Sequence, residues 1–410
     1  MFLSGGLPFV ELSLVQVMPD SKSDIQSILD RLPDMRTPLR ECRELILANA
    51  VMVGEIPAPT FREEARIEYV RNRFAEAGLQ SISADEMNNA SGILPGKTGE
   101  RNILVVAHAD TVHDESVSHT MQVSPDAVTG AGIADNSIGL ASVLSLPWIL
   151  DRLGIHLESN LVLQASSRTL GRGDLSGLGF FLDNTTVPIH SAICVEGVHL
   201  GRLSYSVLGM LRGEIVLKVA PVSTWDESSG RGAVAVLSEL ITKLLSIRLA
   251  SVPRTSIILG SVSAGSSYNV PPTRARLKLE VRSEAAGQVS AVRREIEAIV
   301  AEIRAERNVD VEFQVVSRRR IGGIPFGHPL VTAGRKVMES LGIEPKIAPS
   351  VGMLSSTADR GIPALTLGLT EGSGLQTDEE SIRIEPLFTG LSQLIGVLMA
   401  IDQGGCDAED

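Results

Sequence analysis

Three side chains able to bind a divalent cation or move a proton close short apolar runs of the chain: His108 and Asp110 in AHADTV, and Glu196 in CVEG. A fourth, Asp135 in GAGIADNSIGLA, heads a helical pattern, where a carboxylate is favoured by the helix N-terminus with or without a metal. Imidazole and carboxylate donors suit a hard-to-borderline ion such as zinc, and an Asp two residues beyond a ligating His can hold the other ring nitrogen. Taken singly, each has a structural role: His108 as a core histidine, Asp135 as a helix cap, Glu196 as a rim charge. Their recurrence at successive strand ends points to a metal centre, because ligands of α/β sheets gather at the carboxyl ends of the strands.

The elements that must position these residues are legible from periodicity. NILVVAH (Asn102 to His108), NLVLQAS (Asn160 to Ser166) and HSAICVE (His190 to Glu196) are short runs of the kind expected for parallel strands buried on both faces. Helical patterns over Asp135 to Leu153 and Asp174 to Leu182 separate them, and two more from Pro38 to Leu79 flank the IPAPT stop, which gives a doubly wound α/β layer. After about Ser204 the pattern becomes alternating strands, Leu211 to Ala220, Thr255 to Val262 and Ala275 to Ser283, with amphipathic helices over Arg231 to Leu249 and Ala285 to Arg307. From about Gly322 the first style returns, with a helix from Pro329 to Leu341, a strand at Ile362 to Gly368 and a helix from Glu385 to Asp402. The expectation is a discontinuous α/β domain of residues 1–204 and 322–410, interrupted by an α+β domain of 205–321.

A chain of 410 residues exceeds the roughly 250–300 residues one core serves, in keeping with two domains. Its net charge of −12 makes nucleic acid and anionic membrane poor partners. Cys42, Cys194 and Cys406 lie far apart with no CxxC pair, which fits a reducing, cytoplasmic location. The N-terminal MFLSGGLPFVELSLVQVMPDS reads as a loosely ordered tail rather than a signal, and no run approaches about 18 consecutive apolar residues.

These pieces resemble the M20 metallopeptidase and amidohydrolase family, from IPAPTFREEAR through AHADTV, GIADNSIGLA, GDLSG, CVEG, SYNVPP and LEVRS to QTDEESI. The resemblance implies an α/β zinc domain carrying an inserted α+β dimerisation domain, a homodimer formed through that insertion, and a pair of metal ions bridged by one Asp. It assigns His108, Asp135 and Glu196 to a first metal, with Asp135 in the bridging position and Asp110 orienting His108. Asn269 and Arg282 match positions that clamp a substrate carboxylate, a task suited to the planar guanidinium.

The chain departs from the family at the second metal. The family's Glu-Glu pair, which supplies the general base and a ligand, aligns with Thr169 and Leu170 in SSRTLGRGDLSG, or with Arg168 and Thr169 if the alignment slides by one. The late His ligand aligns with Gln376, and the His of the dimerisation domain falls in Ala220 to Glu227, which has none. The seven histidines, 108, 113, 119, 156, 190, 199 and 328, leave nothing to fill these places. A threonine hydroxyl is no proton acceptor near neutral pH, and general-base assistance is worth about 10²- to 10⁴-fold. The expected catalytic positions are thus Asp110 and a degenerate Thr169, with Asn269, Arg282 and Gln376 on the ligand side and at most one tightly held divalent ion. The favoured expectation is a protein that binds a small amide, peptide or N-acyl amino acid and is silent or repurposed. The alternatives are a one-metal hydrolase using Glu371, Asp378 or Glu379 as acid/base, and a structural dimer partner of an active homologue.

Overall fold

The computed structural model describes residues 21–221, 232–404 and 406–407. The N-terminal tail and most of the Ala220 to Glu227 segment, both discussed above, lie outside these residues. The chain opens with helices α1 (Ser21–Arg31), α2 (Arg36–Glu41), α3 (Arg43–Glu55) and α4 (Glu64–Glu76), then strands β1 (Gln80–Ala84), β2 (Ala90–Leu94) and β3 (Asn102–His108). Next come β4 (Gln122–Val123), β5 (Ala127–Thr129), α5 (Ile138–Arg152), β6 (Asn160–Ser166), α6 (Ser176–Asn184), β7 (Ser191–Val198), β8 (Arg202–Ser204) and β9 (Ser206–Val207). The middle stretch holds β10 (Gly209–Lys218), α7 (Ala233–Leu245), β11 (Thr255–Ala264), β12 (Arg274–Ser283), α8 (Gln288–Arg307) and β13 (Asp310–Arg319). The last contains β14 (Gly322–Gly323), α9 (Pro329–Ser340), β15 (Lys346–Ile347), α10 (Leu354–Ala358), β16 (Ala364–Thr370), β17 (Gly372–Ser373), β18 (Ser381–Arg383) and α11 (Glu385–Asp402).

The principal sheet has the order β1-β2-β6-β3-β7-β16-β8-β15. Its centre, β6-β3-β7-β16, is parallel. All seven residues of β3 and of β16 are buried, as continuous apolar runs require when helices cover both faces. The sheet is mixed rather than wholly parallel, because β2 runs antiparallel to β6 and β8 antiparallel to β16. The run Ile133–Arg152 is long and apolar enough to cross a bilayer, yet 89% of its most apolar 18-residue stretch is buried inside the molecule, as for a core helix.

The sheet β11-β12-β10-β13 stands apart, antiparallel throughout. Along β12 exposed or half-buried residues alternate with buried ones, and Leu277, Leu279 and Val281 turn inward onto α7 and α8. This sheet and its two helices keep a hydrophobic cluster of their own. The periodicity assigned three strands here, and β13 is the fourth. Its alternation is blurred by the adjacent Val315 and Val316, which hides the period of two.

Candidate metal centre

Register brings the first two donors together. In the parallel pair β3/β7, Val106 lies opposite Cys194, so His108 and Glu196, each two residues on, share a level and a face. On the other side His108 lies opposite Ser166, and the chain leaving β6 therefore runs past His108 and Asp110.

The third donor comes from the turn before α5. Asp135 does not cap that helix, as the sequence reading expected: it has φ −126° and ψ 78°, and the helix begins at Ile138. Asn136 fixes its position, donating from Nδ2 to the Val195 carbonyl at 2.9 Å and accepting the Gly197 amide at Oδ1 at 2.6 Å, so that Glu196 is bracketed. Residue 197 has to be glycine, since a Cβ there would lie 2.5 Å from Ile138 Cγ2 and 2.6 Å from the Ala134 carbonyl oxygen.

His108, Asp135 and Glu196 each offer one ligand atom, and these atoms lie within 4.8 Å of one another. His108 Nδ1 is 2.9 Å from the Asp110 carbonyl oxygen, while Nε2 is 3.0 Å from Asp135 Oδ1. With the Nδ1 proton given to that carbonyl, the neutral ring would turn a lone pair on Nε2 toward a carboxylate oxygen, so a proton or a metal cation has to lie between them. Burial alone would lower the His108 pKa, but Asp110 and Asp135 outweigh it and hold the imidazole well above its ordinary range. Asp135 is correspondingly low: burial opposes ionisation and the His108 contact prevails. Burial pushes Glu196 up, with Arg202 and His108 pulling the other way. The carboxylates of Asp110, Asp135 and Glu196 around one imidazole leave the centre negative even when His108 is protonated. A divalent cation fits that charge and that donor set.

Asp110 is fully buried, and its Oδ2 accepts from Thr60 Oγ1 at 2.8 Å and from the backbone amides of Thr169 and Leu170 at 2.9 and 2.8 Å. The β6 exit loop thus meets the centre through main-chain donors. Thr169 is buried, with its hydroxyl 3.5 Å from the Ser167 carbonyl oxygen. Arg168 turns aside: its guanidinium lies 5.8 Å from the Phe61 ring and donates to Met87 Sδ. Gln376 has φ 63° and extends Nε2 to 3.4 Å from Asp135 Oδ2.

The remaining sequence candidates stay apart from this cluster. Asn269 is exposed and accepts from Ser267 Oγ, whereas Arg282 pairs with Glu280 on β12. Among the described residues no hydrogen bond joins Asn269 to Arg282, or either to the centre. Glu371, Asp378 and Glu379 are exposed, and Glu371 lines a separate cavity with Arg36 and Lys346.

Periodicity passed over several participants. Glu380, fully buried, accepts the amides of Ala134, Asp135 and Gln376 at 2.9, 3.1 and 2.8 Å and faces His113 Nε2 at 3.5 Å. Burial raises its pKa against the pull of those amides. Buried Arg66 binds the carbonyls of Ile56 and Ala109, and burial lowers it to about 10 although Asp110 and Glu63 oppose that shift. The signals were faint: Glu380 is the last acid of QTDEE, Arg66 and Glu63 belong to FREEAR, and Asn136 adjoins Asp135.

Comparison with known proteins relates the fold to others. Residues 224–308 match the peptidase dimerisation domain of the M20 proteins. The di-peptidase Dug1p of Saccharomyces cerevisiae superposes with a TM-score of 0.75 at 12% identity, covering 91% of this chain and 98% of that one. The M20 family metallo-carboxypeptidase Sso-CP2 of Sulfolobus solfataricus does so with 0.70 at 14%, covering 87% and 99%. In sequence, the [LysW]-lysine/[LysW]-ornithine hydrolase of Saccharolobus solfataricus is 22% identical over 325 residues, 76% of this chain and 86% of that protein. The chain shares the fold of these M20 metallopeptidase structures and carries a stretch that matches the peptidase dimerisation domain.

Proposed function

We propose that this protein holds a single divalent ion, zinc by donor type, on His108, Asp135 and Glu196, and binds a small amide, peptide or N-acyl amino acid without hydrolysing it by the two-metal route. One observation carries the reading. The two oxygens of Asp135 face different partners, Oδ1 the His108 imidazole and Oδ2 the neutral amide of Gln376. An amide donor there occupies the side from which a bridging carboxylate would reach a second cation. Positions 168–170 supply no carboxylate to help hold one.

The ion, when bound, supplies Lewis-acid polarisation of a carbonyl oxygen and lowers the pKa of a bound water. The chain's own residues do the rest. Asp110 fixes the His108 ring, Asn136 levels Asp135 with Glu196, and Glu380 ties the Gln376 loop to the Asp135 turn. The peptidase neighbours and the [LysW]-lysine hydrolase relative support the amide or peptide ligand class. In the same reading residues 205–321 form the inserted domain and pair two copies as a homodimer, a role supported by the dimerisation-domain match. A cytoplasmic location is proposed on the three free, buried cysteines.

Elemental analysis of the gently purified protein tests the metal reading: one ion per chain is expected, and two would overturn it. Incubation with N-acyl amino acids and dipeptides should release negligible free amino acid. Turnover that disappears in His108→Ala would favour a one-metal hydrolase instead.

A further inference from the structure

A cavity of about 540 Å³ lies where the turn after β7, the segment that joins α9 to β15, the start of β17 and the helices α2 and α11 meet. Arg36 and Lys346 line it together with Glu344 and Glu371, two cations and two carboxylates. Among the described residues none of these four forms an ion pair, whereas Arg40, one turn further along α2, is paired with Glu385 of α11. Arg36 is held at the wall by donating from Nη2 to the Leu341 carbonyl at 3.1 Å, and its Nε is buried with no hydrogen-bond partner among the described residues.

His199, three residues beyond Glu196, completes the wall with a φ of 67°, in the left-handed region that side-chain-bearing residues seldom occupy. Its surroundings keep it there. Its carbonyl accepts the Arg202 amide at 2.8 Å, and the next amide, that of Leu200, reaches the Thr370 carbonyl at 2.9 Å. Residues held in this way cluster at ligand sites, where the fold over-determines an otherwise unfavourable conformation. Burial, with Arg202 and Lys346 nearby, lowers the His199 pKa, so near neutral pH the ring adds a hydrogen-bonding group and not a third cation. Leu200, Leu341 and Ile343 supply the apolar part of the lining.

We propose that this cavity is a second ligand site, which binds a free α-amino acid with an apolar side chain, its carboxylate on Arg36 and Lys346 and its ammonium on Glu344 and Glu371. The charges of the lining cancel, so an ion of one sign would be repelled by half of them, whereas a zwitterion satisfies both kinds. The volume falls in the range of small-molecule sites, about 300–1,000 Å³. None of the lining residues belongs to the His108, Asp135 and Glu196 cluster, so the proposal goes beyond the metal-centre reading and does not depend on it.

The test is a ligand-observed NMR titration of the full chain with L-leucine, with isocaproate, which lacks the ammonium, and with isoamylamine, which lacks the carboxylate. Leucine should bind at least about tenfold more tightly than either analogue. Lys346→Glu should weaken leucine by about tenfold or more, and Glu371→Gln by about three- to tenfold. Both side chains are exposed, and elemental analysis of the two variants should find the metal content of the parent chain. His108→Ala should bind leucine as the parent does. Equal binding of either analogue, an unchanged affinity in Lys346→Glu, or no saturable binding of leucine would each overturn the proposal. Loss of leucine binding in His108→Ala would place the amino acid on the metal centre and overturn it as well. Leucine binding intact on a chain that holds no ion, or two, defeats only the metal-centre reading.

Discussion

Asp135 concentrates the chemistry of the centre, with one oxygen turned to an imidazole and the other to an amide. Replacing His108 with Ala removes the only nitrogen donor of the cluster and should weaken zinc by at least about 100-fold in a chelator competition titration. Asp110→Asn leaves the backbone carbonyl beside His108 Nδ1 but removes the carboxylate charge 3.5 Å from that nitrogen, and a loss of about 10- to 100-fold in zinc affinity is expected in the same assay. Gln376→His alone should leave the metal content at one ion per chain. Combined with Thr169→Glu it should rise toward two, and a double variant still holding one would show that position 169 does not face the second site.

At the scale of elements, the centre depends on the level of β7 against β3 and on the turn that Asn136 clamps to β7. Asn136→Ala leaves a buried carbonyl and a buried amide without their partner, at a cost of about 1–3 kcal/mol in chemical denaturation, and zinc affinity should fall with it. Gly197→Ala forces a methyl against Ile138 and Ala134 and should cost about 1–3 kcal/mol by the same measurement. The apolar runs of β3 and β6 and the helix α11 were legible to the residue, because continuous burial and helical spacing depend on the local chain alone. Strand β13 was not, since its apolar residues do not alternate cleanly, and the short strands β4, β5, β17 and β18 carry too few residues to establish any period.

For the whole molecule, the ion pairs of the inserted sheet give stability a pH dependence with a definite sign. Burial pushes the Glu280 carboxyl up, but Arg212 and Arg282 overcome it and hold the group below its ordinary value of 4.5. A depressed folded-state pKa contributes stability that is present above the unfolded value and lost as pH falls through the folded one. Thermal unfolding should therefore show an acid limb below about pH 4.5 that is shallower in Glu280→Gln. The edge strand β11 exposes Ile258 and Val262, and Val262→Asp should shift a dimer toward monomer in sedimentation velocity if two copies pair along that edge.

Residue identity alone established the donor types, the buried parallel strands that end in them, and the want of carboxylate and imidazole at 168–170 and 376, because composition and periodicity are properties of the local chain. Folding decided which oxygen of Asp135 meets which partner, that Thr169 and Leu170 act through their amides, that Arg168 turns away to Phe61, and that Glu380 and Arg66 take part at all. Those outcomes depend on strand register and on contacts between residues as far apart in the chain as Asp135 and Gln376, and no local pattern encodes them.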